Sequence, residues 1–189
     1  MTDPSTVLPA IYSFPPLYTR QPNAIIRRQQ IASWIDLVLA YCKSQNFWCM
    51  TLEGVPVDEY NKSRISIFIN SEIQRSVPQV FVEEIWSKMC EEGKAMGTET
   101  GRKDSSQYYV LWRTLDSWAS LVLQWFENSG KLNQVVTIYE LAQGDETADW
   151  EFHGMPEPLL AHCIKPLCQR NRATLIKDER GKPVATKVV

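Results

Sequence analysis

The chain is poor in the residues that catalysis usually needs. Its 189 residues contain two histidines, His153 and His162. There is no G-x-x-x-x-G-K-[ST] string and no G-x-G-x-x-G after a strand, so the phosphate cradles that such glycines build are missing. His162 adjoins Cys163, but neighbours along a helix point to different faces and make no dyad by themselves. Cys163 and Cys168 with the two histidines lack the paired short spacings of a structural zinc site. These absences predict a non-enzymatic protein with no metal and no cofactor.

Other absences narrow the class further. There is no excess of either charge sign: 20 Lys and Arg stand against 22 Asp and Glu, a formal net charge of −2. A protein that holds nucleic acid chiefly by neutralising phosphates normally carries a clear basic excess. No run approaches the roughly 18–20 apolar residues that span a bilayer. The start, MTDPSTVLPA, lacks the basic and apolar regions of a signal peptide. Five cysteines, Cys42, Cys49, Cys90, Cys163 and Cys168, are odd in number and form no C-x-x-C pair. That pattern predicts reduced thiols in a cytoplasmic protein that does not insert directly into membranes.

What is present is the material of a packed core: 44% apolar residues and seven tryptophans, whose rings demand burial in a core or an interface. The length suits one ordinary domain or two small ones. Residues 1–23 carry five of the eleven prolines and no apolar period. They are expected to form an extended arm that is not helical, since each proline removes a donor and restricts its neighbour. From Ala24 to about Ser44 an apolar stripe of Ile31, Trp34, Leu37, Val38 and Tyr41 predicts an amphipathic helix. A strand over Phe47 to Leu52, a polar loop to about Arg64 and a short helix from Asn70 to Arg75 are expected next. Ser76, Pro78 and Gln79 read as a capping-box start for a helix carrying Val80, Phe81, Ile85, Trp86 and Met89. Gly93 stops it. Lys94–Met96 and Tyr108–Trp112, around a polar loop, predict a hairpin with a long wing.

The second half repeats the first. Ser33-Trp34-x-x-Leu37-Val38-Leu39-x-Tyr41 matches Ser117-Trp118-x-x-Leu121-Val122-Leu123-x-Trp125, an offset of 84 (117 − 33). Met89-Cys90-x-x-Gly93-Lys94-Ala95 matches Leu167-Cys168-x-x-Asn171-Arg172-Ala173, an offset of 78 (167 − 89). Gly and Asn are the two residues best suited to a left-handed helix stop. The second copy is therefore shorter, with the loop equivalent to 53–67 reduced and its helix start marked by Thr137 and Glu140. Each copy reads helix, short strand, helix, helix, hairpin, the order of a winged helix. The expected fold class is α+β, mainly α: an extended proline-rich arm over 1–23 and two tandem winged-helix domains over 24–113 and 114–189. Trp34, Trp118 and Trp125 are expected in the cores.

A winged helix invites the alternative of a DNA-binding transcriptional regulator. The first copy argues against it, since its third helix sets Glu83, Glu84, Glu91 and Glu92 against Lys88 alone. The second offers Lys165, Arg170 and Arg172, but an acidic loop precedes the helix, and Pro166 inside it should kink it or remove a hydrogen bond. The arm is the stronger signal. Tyr12-Ser13-Phe14-Pro15-Pro16-Leu17-Tyr18 joins a stiff Pro-Pro pair to four large side chains, as a docking segment would. A disordered tail, a tail folded onto its own domain and a WW-domain ligand are the competing readings.

The arm from Tyr12 through Pro22 resembles the vacuolar protein sorting-associated protein 25 family of ESCRT-II subunits, its fungal members most. So do Arg27-Arg28-Gln29-Gln30-Ile31, Ile73-Gln74-Arg75-Ser76, Leu115-Asp116-Ser117-Trp118-Ala119-Ser120, Gly130-Lys131-Leu132-Asn133-Gln134-Val135 and Arg170-Asn171-Arg172-Ala173. The resemblance implies two winged helices and a Y-shaped complex in which two copies attach to vacuolar protein sorting-associated proteins 22 and 36. It makes Tyr12, Phe14, Pro15, Pro16, Leu17 and Tyr18 the docking element and Arg75 a polar anchor. It implies that the second winged helix recruits protein 20 of ESCRT-III at the endosomal membrane, in sorting of ubiquitinated cargo into multivesicular bodies. The contact expected on physical grounds is the acidic stretch Asp145, Glu146, Asp149, Trp150, Glu151 and Phe152, receiving a basic amphipathic helix.

Overall fold

The computed structural model describes residues 7–57, 65–98 and 106–189. The chain is α+β and divides into two compact units, the first ending at Trp112 and the second running from Arg113 to Val189. The remaining parts of the arm and of the two long loops named above lie outside the described residues.

In the first unit the arm is not wholly extended, a correction to the sequence expectation. It forms two one-turn 3-10 helices, Ala10–Ser13 and Pro15–Tyr18. A 3-10 turn needs only i→i+3 bonds. Here they run from Tyr12 N to Pro9 O (2.9 Å), Phe14 N to Ile11 O (3.0 Å) and Leu17 N to Phe14 O (3.0 Å). Pro15 and Pro16 open the second turn, where no amide donor is required. Helix α1 follows, Ala24–Gln45, with Asn23 accepting from Ile25 N and Ile26 N as its N-cap.

Strands β1 (Cys49–Thr51), β4 (Ala95–Gly97) and β5 (Gln107–Val110) make an antiparallel sheet ordered β1-β5-β4. The helix expected from Asn70 to Arg75 does not form. Strands β2 (Ile69–Asn70) and β3 (Arg75–Ser76) pair around a turn instead. Asn70 is the reason: its Oδ1 accepts from Glu72 N (3.1 Å) and its Nδ2 donates to Tyr12 O (3.1 Å). Such side-chain bonds to nearby backbone compete with the helical ladder. Ser76, paired with Ile69, is correspondingly no cap; helix α2 runs Gln79–Glu91 from Pro78 without a side-chain cap. The core gathers Trp34, Leu37, Val38 and Tyr41 of α1 with Phe81, Ile85, Trp86 and Met89 of α2 and Phe68.

The second unit contains α3 (Leu115–Asn128), β6 (Val135–Thr137), α4 (Ile138–Gln143), a 3-10 turn (Asp145–Thr147), α5 (Glu157–Gln169), β7 (Ala173–Lys177) and β8 (Pro183–Val188). Thr137 and Glu140 make the capping box expected of them. Helix α5 continues through Pro166 to Gln169. The sheet order, β6-β8-β7, repeats that of the first unit, and Trp118, Val122, Phe126, Leu159 and Ile164 are fully buried.

The repeat extends to individual hydrogen bonds. Lys94 N bonds Met89 O and Arg172 N bonds Leu167 O, both at 2.8 Å. They close equivalent helix ends at Gly93 (φ +69°) and Asn171 (φ +57°). The two copies differ where β2 and β3 stand in the first and α4 in the second.

Candidate functional site

The arm is fastened to the first unit through its backbone. Gln30, buried on α1, donates from Nε2 to Pro16 O (3.1 Å), Leu17 O (3.0 Å) and Thr19 O (2.7 Å), and its Oε1 accepts from Gln21 N (3.2 Å). Trp34 Nε1 donates to Leu17 O (3.0 Å). The Tyr12 hydroxyl donates toward Ile67 O (2.9 Å) and Ile69 O (3.2 Å), and the Tyr18 hydroxyl donates to Tyr12 O (2.7 Å). Edge-on ring contacts of Tyr18 with Trp34 (5.2 Å) and Tyr12 (6.0 Å) fill the space between. Rings in this arrangement add about 0.5–1.5 kcal/mol per pair beyond burial. Removal from water pushes the Tyr18 phenol above its ordinary range.

These contacts divide the six residues expected to dock. Tyr12, Leu17 and Tyr18 keep 2%, 4% and 1% of their surface, whereas Phe14 keeps 55% and Pro15 and Pro16 are exposed. In this conformation the first three hold the arm to its own unit and only Phe14, Pro15 and Pro16 face outward. A buried phenol needs hydrogen-bond partners, and the carbonyls around residue 68 supply them. Strand β3 lies against the Pro15–Tyr18 turn. It brings the exposed Arg75 to the same region, where it makes no ion pair among the described residues. The sequence reading gave neither Gln30 nor Asn70 a part in holding the arm. The available signal for Gln30 was its place four residues before Trp34, on the buried side of α1.

The acidic stretch of the second unit is partly neutralised from within. Glu146 pairs with Lys131, and its carbonyl accepts from Trp125 Nε1 (3.1 Å). Glu151 accepts from Arg113 Nε (2.8 Å), an ion pair that keeps the guanidinium charged to higher pH than usual. Phe152 is fully buried, so it is not available as a contact. Asp145 and Asp149 are exposed and Trp150 is partly so, 5.9 Å from Phe152 between ring centres. Of the six residues expected there, Asp145, Asp149 and Trp150 are neither fully buried nor ion-paired among the described residues.

The outer stripe of α2, Val80, Glu83, Glu84, Ser87, Lys88 and Glu91, lines an open groove of about 470 Å³ with Ile31. Glu84 pairs with Arg20, and Glu91 and Glu92 with Lys88. Carboxylates outnumber cations along that groove, so it offers no basic excess to a phosphate backbone. Among the described residues no cluster of His, Cys, Asp or Glu is placed to hold a metal ion, and no helix is long and apolar enough to cross a membrane.

The family model described as ESCRT-II complex subunit matches residues 11–156. The vacuolar protein-sorting-associated protein 25 of Saccharomyces cerevisiae is 54% identical over 97% of this chain and 100% of its own length. The human protein of the same name is 36% identical over 92% of this chain and 93% of its own. A crystal structure of subunit VPS25 of the endosomal trafficking complex ESCRT-II superposes with a TM-score of 0.85 at 55% identity, covering 96% of this chain and 99% of that one. A chain in the crystal structure of endosomal complex ESCRT-II (VPS22/VPS25/VPS36) superposes with a TM-score of 0.83 at 53% identity over 97% of this chain and 100% of the other.

Proposed function

The chain belongs to the family of ESCRT-II complex subunits, and from that footing we propose that it is a non-enzymatic adaptor that docks onto the two larger subunits through Phe14, Pro15 and Pro16. The observation that carries the reading is the outward projection of these three apolar residues from a turn whose neighbours are anchored inward. A solvent-exposed Phe beside two prolines suits a concave apolar partner site, where the fixed proline backbone loses little entropy on binding. Arg75, on the strand beside that turn, is the polar anchor of the same contact.

Each unit is read as a winged helix, with α2 and α5 in the place of the recognition helix, the β2–β3 pair replacing the middle helix in the first unit, and the β4–β5 and β7–β8 hairpins as wings. The docking partners are vacuolar protein sorting-associated proteins 22 and 36, with two copies of this chain on one complex. The second unit engages protein 20 of ESCRT-III, with Asp145, Asp149 and Trp150 as its acidic and aromatic contact. The chain would then work in the cytoplasm at the endosomal surface, joining sorting of ubiquitinated cargo to vesicle budding. Two copies raise the local concentration of the ESCRT-III partner at the membrane.

The test is co-expression with the two larger subunits, with mass from light scattering. Wild type is expected in a complex holding two copies, and Phe14→Ala/Pro15→Ala/Pro16→Ala is expected to elute alone with its melting transition intact. A triple variant that still assembles overturns the docking role.

A further inference from the structure

We propose that Gln30 is a positioning residue for docking: its side chain locks the Pro15–Thr19 backbone so that Phe14, Pro15 and Pro16 are presented as a preformed surface. The inference rests on the docking reading above. Its basis is the density of bonds at one amide. Three carbonyls, of Pro16, Leu17 and Thr19, converge on Nε2, while Oε1 takes the N–H of Gln21. That set fixes the amide orientation, because the reverse would face Oε1 with three acceptors and Nε2 with a donor. Gln30 therefore brackets the arm from both ends of a six-residue stretch, and it does so from a rigid helix.

The comparison between the units supports a dedicated role. Under the 84-residue offset, α3 begins at Leu115, the counterpart of Ile31, and Gln30 corresponds to Thr114, which only caps its helix. Helix α1 has two additional turns, Ala24 to Gln30, with no equivalent in the second unit. Two side chains of these turns bond the backbone of the arm: Gln30, as above, and Arg27, whose Nη1 donates to Gln21 O and Pro22 O, each 3.0 Å. The second unit has neither the arm nor the turns that hold it. Prolines at 15 and 16 supply no amide donors; Leu17 N and Thr19 N bond back to Phe14 O and Pro16 O, and α1 supplies the further donors. An unlatched arm would have to be ordered at the moment of binding, and that cost appears directly as lost affinity.

The test uses the full chain titrated against the two larger subunits, with amide hydrogen exchange on the unbound protein. Gln30→Leu keeps a similar bulk and removes every bond. It is expected to speed exchange at Tyr12, Phe14, Leu17 and Thr19, leave the amides of α2 unchanged, and weaken association about tenfold to hundredfold. Gln30→Glu, which cannot donate to the three carbonyls, is expected to do the same. Phe14→Ala separates the two ideas, since it should lose affinity with its arm amides still protected. If Phe14→Ala binds like wild type, the docking reading falls. If Phe14→Ala loses binding while Gln30→Leu frees the arm and binds normally, only the positioning role is overturned; unchanged arm exchange in Gln30→Leu overturns it too. Should Gln30→Leu fail to fold, the near-isosteric Gln30→Glu, which keeps an acceptor for Gln21 N and loses the three donated bonds, carries the same two readouts and decides.

Discussion

Single side chains in this protein act mainly by holding backbone that cannot hold itself. Gln30, Asn70, Tyr12 and Trp34 all direct donors at main-chain carbonyls of the arm or its neighbours. Their value lies in the asymmetry of burial: a net hydrogen bond contributes about 1 kcal/mol, whereas stranding its buried partner costs about 1–3 kcal/mol. The buried thiols give a second consequence at this scale. Burial pushes Cys163 up to about 12 and Cys49 to about 11 from an ordinary 9.0, and Cys42 higher still. Each folded thiol therefore keeps its proton where the unfolded chain releases it. Their contribution is intact below pH 9 and is lost as pH rises toward 11 and 12. The thermal midpoint is expected to fall over that range, and Cys163→Ala to fall less steeply, as followed by circular dichroism. A midpoint flat to pH 11 would contradict the burial argument. None of this was visible in the thiol spacing, which bears on redox state and not on depth.

Elements end where the sequence signals an end. Asn23, Thr114 and Thr137 accept from the first free amides of α1, α3 and α4, and Gly93 and Asn171 carry the left-handed stops of α2 and α5. A Cβ at Gly93 would meet nothing within 4 Å, so only its positive φ opposes a side chain there. Gly93→Ala and Asn171→Ala should therefore each cost about 1 kcal/mol by urea unfolding, and Asn171→Gly should cost nothing. Equal losses for Ala and Gly at 171 would rule out the conformational explanation. The cap at Thr137 and the stops at Gly93 and Asn171 are legible because their chemistry is local, spanning three or four residues; the cap expected at Ser76 fails because Ser76 pairs with Ile69 across the β2–β3 turn. The β2–β3 pair was not legible, because Asn70 is drawn out of a helix by Tyr12, 58 residues away. The two arm turns were missed for a related reason. The prolines exclude an α-helix but not a 3-10 turn, and only the carbonyl partners on α1 decide between turn and extended chain.

At the scale of the molecule, the two proposed sets of contacts fall on different units, and each set belongs to one core. Phe14, Pro15, Pro16 and Arg75 lie on the first unit, Asp145, Asp149 and Trp150 on the second. Asp145→Lys/Asp149→Lys is accordingly expected to weaken binding of the proposed ESCRT-III partner's helix by tenfold or more while leaving assembly with the larger subunits unchanged, as measured by fluorescence anisotropy and light scattering. Unaltered helix binding would remove the acidic stretch from the contact. The duplication, the positions of the long helices and the burial of Trp34, Trp118 and Trp125 follow from the sequence alone, because periodicity and internal repetition encode which face of an element is apolar. Which of the arm's apolar residues point inward does not. Tyr12, Leu17 and Tyr18 are chemically as fit for a partner's pocket as Phe14, and Glu146 as fit as Asp145. The choice was made by carbonyls and cations remote in sequence, around Ile67 and at Lys131, which the folded chain brings within hydrogen-bonding distance.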